Sequence, residues 1–114
     1  MRRFETFYYC LSNGKAPVGE FIDSLNAKGY SNFVFKKELL EGFGPKLPMP
    51  HAKHMGKGLY ELRVSDINGK IRLFYFFVKR NSIIFVHAIV KKTQKTPKKD
   101  LNLAYKRMTD YQNN

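Results

Sequence analysis

Apolar residues in the second half of the chain fall into short runs with the spacing of antiparallel strands. The runs cover residues 59–65, 70–79 and 83–90, and polar breaks of three or four residues separate them. The first break carries the pair Asn68-Gly69, which is typical of a tight hairpin turn. Because strands this close in sequence pair most readily with their neighbours, we predict a three-stranded antiparallel meander.

The first half of the chain carries one further strand pattern and two helical patterns. Residues 4–11 are rich in aromatic residues and predict a strand. Pro17 suits the first turn of a helix, apolar residues follow it at helical spacing, and Gly29 is its predicted end. Ser31 is the predicted cap of a second helix, which runs to Phe43. Two helices this close should form a hairpin that covers one face of the sheet.

The two remaining segments complete the predicted architecture. Residues 44–58 contain three prolines and predict an irregular loop. After the meander, Thr96 is the predicted cap of a C-terminal helix, with Pro97 in its first turn. The predicted order is therefore β-α-α-β-β-β-α. This is an α+β fold in one domain over residues 1–114, with a small, mainly antiparallel sheet, an N-terminal helical hairpin packed on it and a C-terminal helix.

Positive charge is concentrated in the predicted sheet and in the segment that follows it. The net charge is +12, and residues 46–114 contain fifteen basic and four acidic residues, against six and five in residues 1–45. Such an uneven field usually faces phosphate, an acidic protein or an anionic membrane, although it also keeps a small protein solvated. The lysines of residues 91–99 lie near a helix N-terminus, where the helix dipole disfavours cations. A bound polyanion would offset that cost.

Several function classes are excluded by the residues present. Cys10 is the single cysteine, which suits a reducing compartment, and no secretory signal or membrane-spanning run occurs, so we expect a cytoplasmic protein. His51 and His54 have no partner at metal-site spacing, and no nucleotide-binding glycine motif occurs. We therefore expect no metal and no cofactor. His87 lies in an apolar run, which favours a buried, hydrogen-bonded histidine.

Three charged residues inside the predicted strands form the candidate site. Alternate strand residues share a face, so Glu61 and Arg63 lie on one face, and antiparallel pairing could bring Arg72 to them. An arginine held by a strand is a good bidentate phosphate ligand, whereas an ion pair on a solvated sheet face is the alternative interpretation. Paired carboxylates for metal-assisted hydrolysis are missing. Metal-free RNA cleavage fits, because the substrate's own 2′-OH attacks and the protein supplies cations and proton transfer.

Three segments of the chain resemble the phage-related branch of the RelE/HigB toxins of bacterial toxin–antitoxin systems. They read GLYELR, GKIRLFYFF and IVKKTQKTPKKDLNLAYKRM, and the resemblance covers residues 4–111 in the same element order. It implies a RelE-like fold with a compact, barrel-like or open sheet. It also implies an endoribonuclease, an mRNA interferase that cuts mRNA in the ribosomal A site without a metal and so inhibits translation.

The resemblance also implies roles for individual residues. Arg72 matches the strand arginine of the family and is expected to hold the scissile phosphate, with Arg63 in support and Glu61 orienting one of these cations. The basic position just after the last strand falls on Lys91 or Lys92, and Lys92 is the one expected to stabilise the transition state or to move a proton. The expected RNA-binding residues are Lys53, His54, Lys57, Lys91 and Lys95. His54 and Tyr105 are the reserve candidates for proton transfer.

The partners implied by the resemblance are a HigA-like antitoxin with a helix-turn-helix domain, mRNA and the ribosome. Operator DNA would be reached only through the antitoxin, no membrane is involved, and a heterotetramer with an antitoxin dimer is the expected assembly. Two other functions stay open at this point. One is a non-catalytic RNA- or ribosome-binding protein, and the other is an interaction module whose basic face docks an acidic partner.

Overall fold

The computed structural model describes residues 3–67 and 69–114, and in this part of the chain three α-helices pack on a five-stranded sheet. In chain order the elements are β1 (Glu5–Tyr8), α1 (Pro17–Asp23), α2 (Ala27–Phe43), β2 (Ala52–Gly56), β3 (Leu59–Asp66), β4 (Gly69–Val78), β5 (Ser82–Lys91) and α3 (Lys98–Gln112). The predicted α+β class is confirmed. The predicted Asn68-Gly69 turn depends on Asn68, which lies outside the described residues.

The sheet has the strand order β1-β5-β4-β3-β2. The pairs β2–β3, β3–β4 and β4–β5 are antiparallel, so the predicted meander is confirmed and gains β2 as a further strand. β1 is shorter than predicted and pairs in parallel with β5, with Glu5 opposite Ser82. The sheet is therefore mainly antiparallel, with a single parallel pair at one edge.

Each face of the sheet buries its own apolar cluster. On one face Leu62, Ile71 and Tyr75 join a cluster that includes residues of α1 and α2. On the other face Phe74 and Phe76 join a cluster that includes residues of α3. This alternation matches the predicted strand faces and follows from the two-residue period of a strand. Glu61 and Arg63 of β3 and Arg72 of β4 continue the face that α3 covers.

The predicted boundary between the first two helices is wrong. α2 begins at Ala27, and the side chain of Asn26 caps it by accepting a hydrogen bond from the Gly29 amide at 2.8 Å. Gly29 therefore lies inside the first turn of α2, and Ser31 is an ordinary helical residue. A glycine is favoured at this position because the Cβ of any other residue would lie only 3.1 Å from the carboxylate carbon of Asp66.

The predicted irregular loop over residues 44–58 is also wrong in part. A short 3₁₀ turn covers Gly44–Lys46, and β2 then occupies Ala52–Gly56, where it pairs with β3. All three prolines of the segment precede Ala52. Every residue of β2 therefore keeps a backbone amide that can pair with β3, and this pairing holds the segment in an extended conformation.

Two neighbouring glycines should respond to alanine in opposite directions. Gly44 has a φ of 57°, and a Cβ there would overlap the ring of Phe4, so Gly44→Ala should lower the free energy of unfolding by about 2 kcal/mol. Gly42 lies in α2 with no atom within 4 Å of an added Cβ, so Gly42→Ala should raise it by about 0.5 kcal/mol. Urea unfolding of both variants tests this, and equal effects would contradict it.

Candidate functional site

One arginine of β3 and one of β4 meet at a single buried carboxylate. Glu61 is only 1% exposed, and its Oε1 atom lies 3.1 Å from Arg63 Nε and 3.8 Å from Arg72 Nε. Arg63 and Arg72 are direct cross-strand partners, so both lie on the same face of the sheet. The predicted meeting of these three side chains is confirmed. The burial of Glu61 excludes the alternative of an ion pair on a solvated sheet face.

Arg72 is the most enclosed cation of this cluster. Its Nη1 group donates a 2.9 Å hydrogen bond to the Ile71 carbonyl, whereas its buried Nε has no hydrogen-bond partner among the described residues. Burial lowers the pKa of Arg72, the Glu61 carboxylate opposes this effect, and the neighbouring Arg63 adds to it. Two arginines thus share one carboxylate in a weakly solvated place. An added anion would be favourable there.

A hydroxyl from the segment before α3 reaches the same carboxylate. Thr96 Oγ1 donates a 3.3 Å hydrogen bond to Glu61 Oε2. The prediction that Thr96 caps α3 is wrong. The helix begins at Lys98, and its N-cap residue is Pro97. The contact fastens the segment between β5 and α3 onto the sheet, beside the arginines.

A cavity of about 280 Å³ adjoins this cluster, and we call it the Glu61 cavity. Its lining residues are Lys53, Met55, Glu61, Arg63, Lys91, Gln94, Lys95, Thr96 and Leu101. Three of the five expected RNA-binding residues are among them. Lys53 is the cross-strand partner of Glu61 in the β2–β3 pair. Lys91, which also lines the cavity, is the last residue of β5.

Lys91 lines this cavity with an ammonium group whose pKa is lowered. Burial is the main cause that lowers the pKa of Lys91, and the positive charges of Arg72, Arg63 and Lys53 lower it further. The carboxylate of Glu61 opposes them. A lysine with a lowered pKa has a larger neutral fraction near neutral pH than an ordinary lysine, so it can exchange a proton more readily.

A comparison with protein families shows the family to which the chain belongs. A family model described as "Phage derived protein Gp49-like (DUF891)" matches residues 20–109, which is most of the chain and includes the whole Glu61 cavity. The chain belongs to this Gp49-like family. It is a family of toxin-like proteins of toxin–antitoxin systems, so an antitoxin partner is implied. No curated protein matches the chain.

Lys92, the expected transition-state residue, does not line the Glu61 cavity of this Gp49-like protein. It is exposed and borders an adjoining cavity of about 470 Å³, to which Lys70 and Lys91 also contribute. Lys91 and Gln94 line both cavities. Of the two consecutive lysines, Lys91 is therefore the one that lies beside the buried carboxylate.

The remaining expected residues lie outside the Glu61 cavity. The His54 ring packs on Tyr60, with ring centroids 4.8 Å apart, and its Nε2 accepts a 3.3 Å hydrogen bond from the Gly58 amide. Lys57 is exposed in the turn between β2 and β3. Tyr105 Oη donates to backbone carbonyls of β2, with the shorter hydrogen bond at 2.8 Å to Gly56. This phenol therefore fastens α3 to β2.

His87 makes the hydrogen bond that its apolar surroundings predicted. Its Nε2 atom lies 2.8 Å from Asp100 Oδ1, and its ring is partly buried and stacked on Phe74. Through this contact β5 holds the first turn of α3. In the described residues no group of three histidine, cysteine, aspartate or glutamate side chains is arranged to hold a metal ion, and no helix is long and apolar enough to cross a bilayer.

Sequence reasoning missed two residues of this region, Thr96 and Lys36. Lys36 Nζ on α2 lies 2.8 Å from His51 Nδ1, and its pKa is lowered by burial and then by the charge of Arg72. In the sequence Lys36 is one of two consecutive lysines in a helix, and nothing local distinguishes it. Its nearness to Arg72 arises from the packing of α2 against the sheet.

The electrostatic coupling of Lys91 gives a prediction that needs no assumption about activity. Lys53→Gln removes a charge that lowers the pKa of Lys91, so the Lys91 pKa should rise towards its ordinary value. NMR titration of the lysine side chains measures this. Lys99→Gln, an exposed lysine on α3, is the matched control and should leave Lys91 unchanged. A wild-type Lys91 that titrates at its ordinary pKa would contradict the prediction.

Proposed function

We propose that this Gp49-like protein is a RelE/HigB-type toxin, a metal-independent endoribonuclease that cuts ribosome-bound mRNA and thereby inhibits translation. The observation that carries the proposal is the buried Glu61 carboxylate shared by two arginines, beside a cavity lined by three lysines. A site with this excess of positive charge is suited to a phosphodiester, whose charge increases in the transition state of cleavage.

Substrate binding would begin at Arg63. This side chain is about one quarter exposed and holds Glu61 through its Nε, so its remaining N–H groups are available to a phosphate. Glu61 then fixes the guanidinium plane, which is the condition for bidentate recognition. Arg72, held by its bond to the Ile71 carbonyl, would add a second fixed positive charge behind the phosphate.

The reaction would be an internal transesterification of the RNA. A base removes the proton of the 2′-OH, the 2′-oxygen forms a bond to the adjacent phosphorus, and the bond from phosphorus to the 5′-oxygen breaks. The leaving 5′-oxygen takes a proton, so the products are a 2′,3′-cyclic phosphate and a 5′-hydroxyl. Lys91 is the proposed base because it lines the cavity beside Glu61, and its lowered pKa increases its neutral fraction relative to an ordinary lysine. A protonated Lys53 or Lys95 of the same cavity would supply the second proton.

The same proposal includes the partners of the protein. The cognate antitoxin would be HigA-like, with a helix-turn-helix domain that connects the complex to operator DNA. We propose a heterotetramer with an antitoxin dimer, in the cytoplasm, with residues 1–114 acting as a single toxin domain. The net charge of +12 supports association with the ribosome, whose RNA surface is negatively charged.

Induction in bacteria that lack the antitoxin tests the proposal. Wild type should arrest growth and produce new mRNA 5′-hydroxyl ends inside translated regions, whereas Lys91→Gln should produce at most a few per cent of these ends. Lys99→Gln should behave as wild type. Arrest without new ends would favour a non-catalytic ribosome-binding protein. Absence of arrest with abundant folded protein would overturn the toxin function.

A further inference from the structure

A second group of lysines lies next to the Glu61 cavity, where β4 begins and β5 ends. Lys70 and Lys91 are direct cross-strand partners, so two like charges lie opposite each other. Such a pair is destabilising in the absence of a neutralising group. Lys92 borders the same cavity of about 470 Å³, which we call the lysine pocket.

The lining of the lysine pocket favours an anion. Three of its six lining residues are lysines and none is acidic, and all six belong to the described part of the chain. Asp66 is the sheet partner of Gly69, but its carboxylate lies against Gly29 of α2 and accepts a 2.6 Å hydrogen bond from the Ile67 amide. Asp66 is therefore engaged on the opposite face of the sheet.

The chemistry of the lining also indicates which part of a nucleic acid would bind. No aromatic side chain lines the lysine pocket, so bases have no stacking surface there, whereas lysine ammonium groups suit phosphate oxygens. The lysine pocket adjoins the Glu61 cavity, because Lys91 and Gln94 line both. One strand could therefore occupy both cavities with neighbouring phosphates.

We propose that the lysine pocket, through Lys70 and Lys92, binds a second phosphate of the RNA strand whose scissile phosphate lies in the Glu61 cavity. This inference rests on the proposed function and adds a second phosphate-binding site to it. The substrate is a single strand that extends at least one phosphate beyond the bond that is cut. Recognition in the lysine pocket is independent of base identity.

The first experiment measures binding without cleavage. A 2′-O-methyl RNA decamer lacks the nucleophile, so its affinity can be followed across salt concentrations. In the double variant Lys70→Gln/Lys92→Gln the slope of log K against log salt should become shallower by about 0.7, the value for one phosphate contact on a single strand. The double variant Lys15→Gln/Lys79→Gln removes the same charge from exposed positions outside both cavities and should keep the wild-type slope.

The second experiment isolates the proposed phosphate. A 2′-O-methyl dinucleotide is compared with the same dinucleotide carrying one extra phosphate at its 5′ end or at its 3′ end. For wild type one of the two phosphates should tighten binding about tenfold, and the Lys70→Gln/Lys92→Gln variant should lose that gain. Thermal unfolding at or above the wild-type temperature checks that the fold of each variant is intact, since Lys70 and Lys92 are exposed and removing Lys70 relieves its repulsion of Lys91.

The outcomes separate this inference from the endonuclease proposal. An unchanged salt slope together with an unchanged phosphate gain would overturn the lysine pocket, while RNA cleavage by wild type would still support the nuclease. A shallower slope and a lost phosphate gain in a protein that never cuts RNA would support the pocket and overturn the nuclease. Failure of wild type to bind the decamer at low salt would overturn the inference outright.

Discussion

Arg72→Lys is expected to lower the rate of the proposed RNA cleavage by about 100- to 1,000-fold, the usual effect of removing one preorganised group that stabilises transition-state charge. Lysine keeps the positive charge but lacks the planar fork, so it cannot bind the Ile71 carbonyl and hold its charge in the same fixed place behind the phosphate. The measurement is the single-turnover rate on ribosome-bound mRNA. The change should appear mainly in the rate and less in the affinity for the ribosome.

The matched control for this prediction lies at the other end of the same strand. Lys79 is exposed just after β4, and Lys79→Gln removes one positive charge without touching the Glu61 cavity. It should keep the wild-type rate to within about twofold, because charges beyond a Debye length are largely screened. If Arg72→Lys cleaved as fast as this control, the arginine would have no fixed role in the reaction.

Glu61→Gln is expected to lower the free energy of unfolding by about 3 kcal/mol, because removing one member of a buried ion pair leaves uncompensated buried charge. Glutamine keeps the volume of the side chain, so the loss reports charge and not a cavity. Arg63 and Arg72 would then face each other without the carboxylate between them. Urea unfolding measures the effect.

An added anion separates the charge effect from other causes. Sulfate should restore stability to Glu61→Gln more than it stabilises the wild type, because it would neutralise the two arginines. Glu38→Gln, at an exposed position of α2, should change the unfolding free energy by less than about 0.5 kcal/mol and should show no extra response to sulfate. Equal effects of both glutamine variants would mean that the buried carboxylate does not balance the arginines.

The sheet and the core of the site could be predicted from sequence because strand geometry is local. The two-residue period assigns Glu61 and Arg63 to one face, and short connections between strands bring Arg72 beside them. The burial of Glu61 could not be predicted in this way. It depends on residues that are distant in sequence, among them Thr96 and Leu101.

The errors have equally specific physical causes. The local pattern at Gly29 indicates a helix end, but the cap is Asn26, and the close approach of Asp66 that favours a glycine there is a tertiary contact. β2 was missed because prolines dominate its surroundings, although they stop before the strand begins. The roles of the two consecutive lysines could not be separated, since the predicted strand ended at residue 90. The observed β5 continues to Lys91 and so assigns that side chain to a face.

The parallel pairing of β1 with β5, the strand that carries Lys91, affects when the sheet is completed during synthesis. Glu5 lies opposite Ser82, so this edge closes a long loop, and the entropy of closure makes such a contact form late. Enclosure of Glu61 also waits for Thr96, which emerges from the ribosome after every strand of the sheet. The segment that encloses Glu61 is therefore made only after the sheet that carries this carboxylate, so the assembled basic site is one of the last parts of the fold to form.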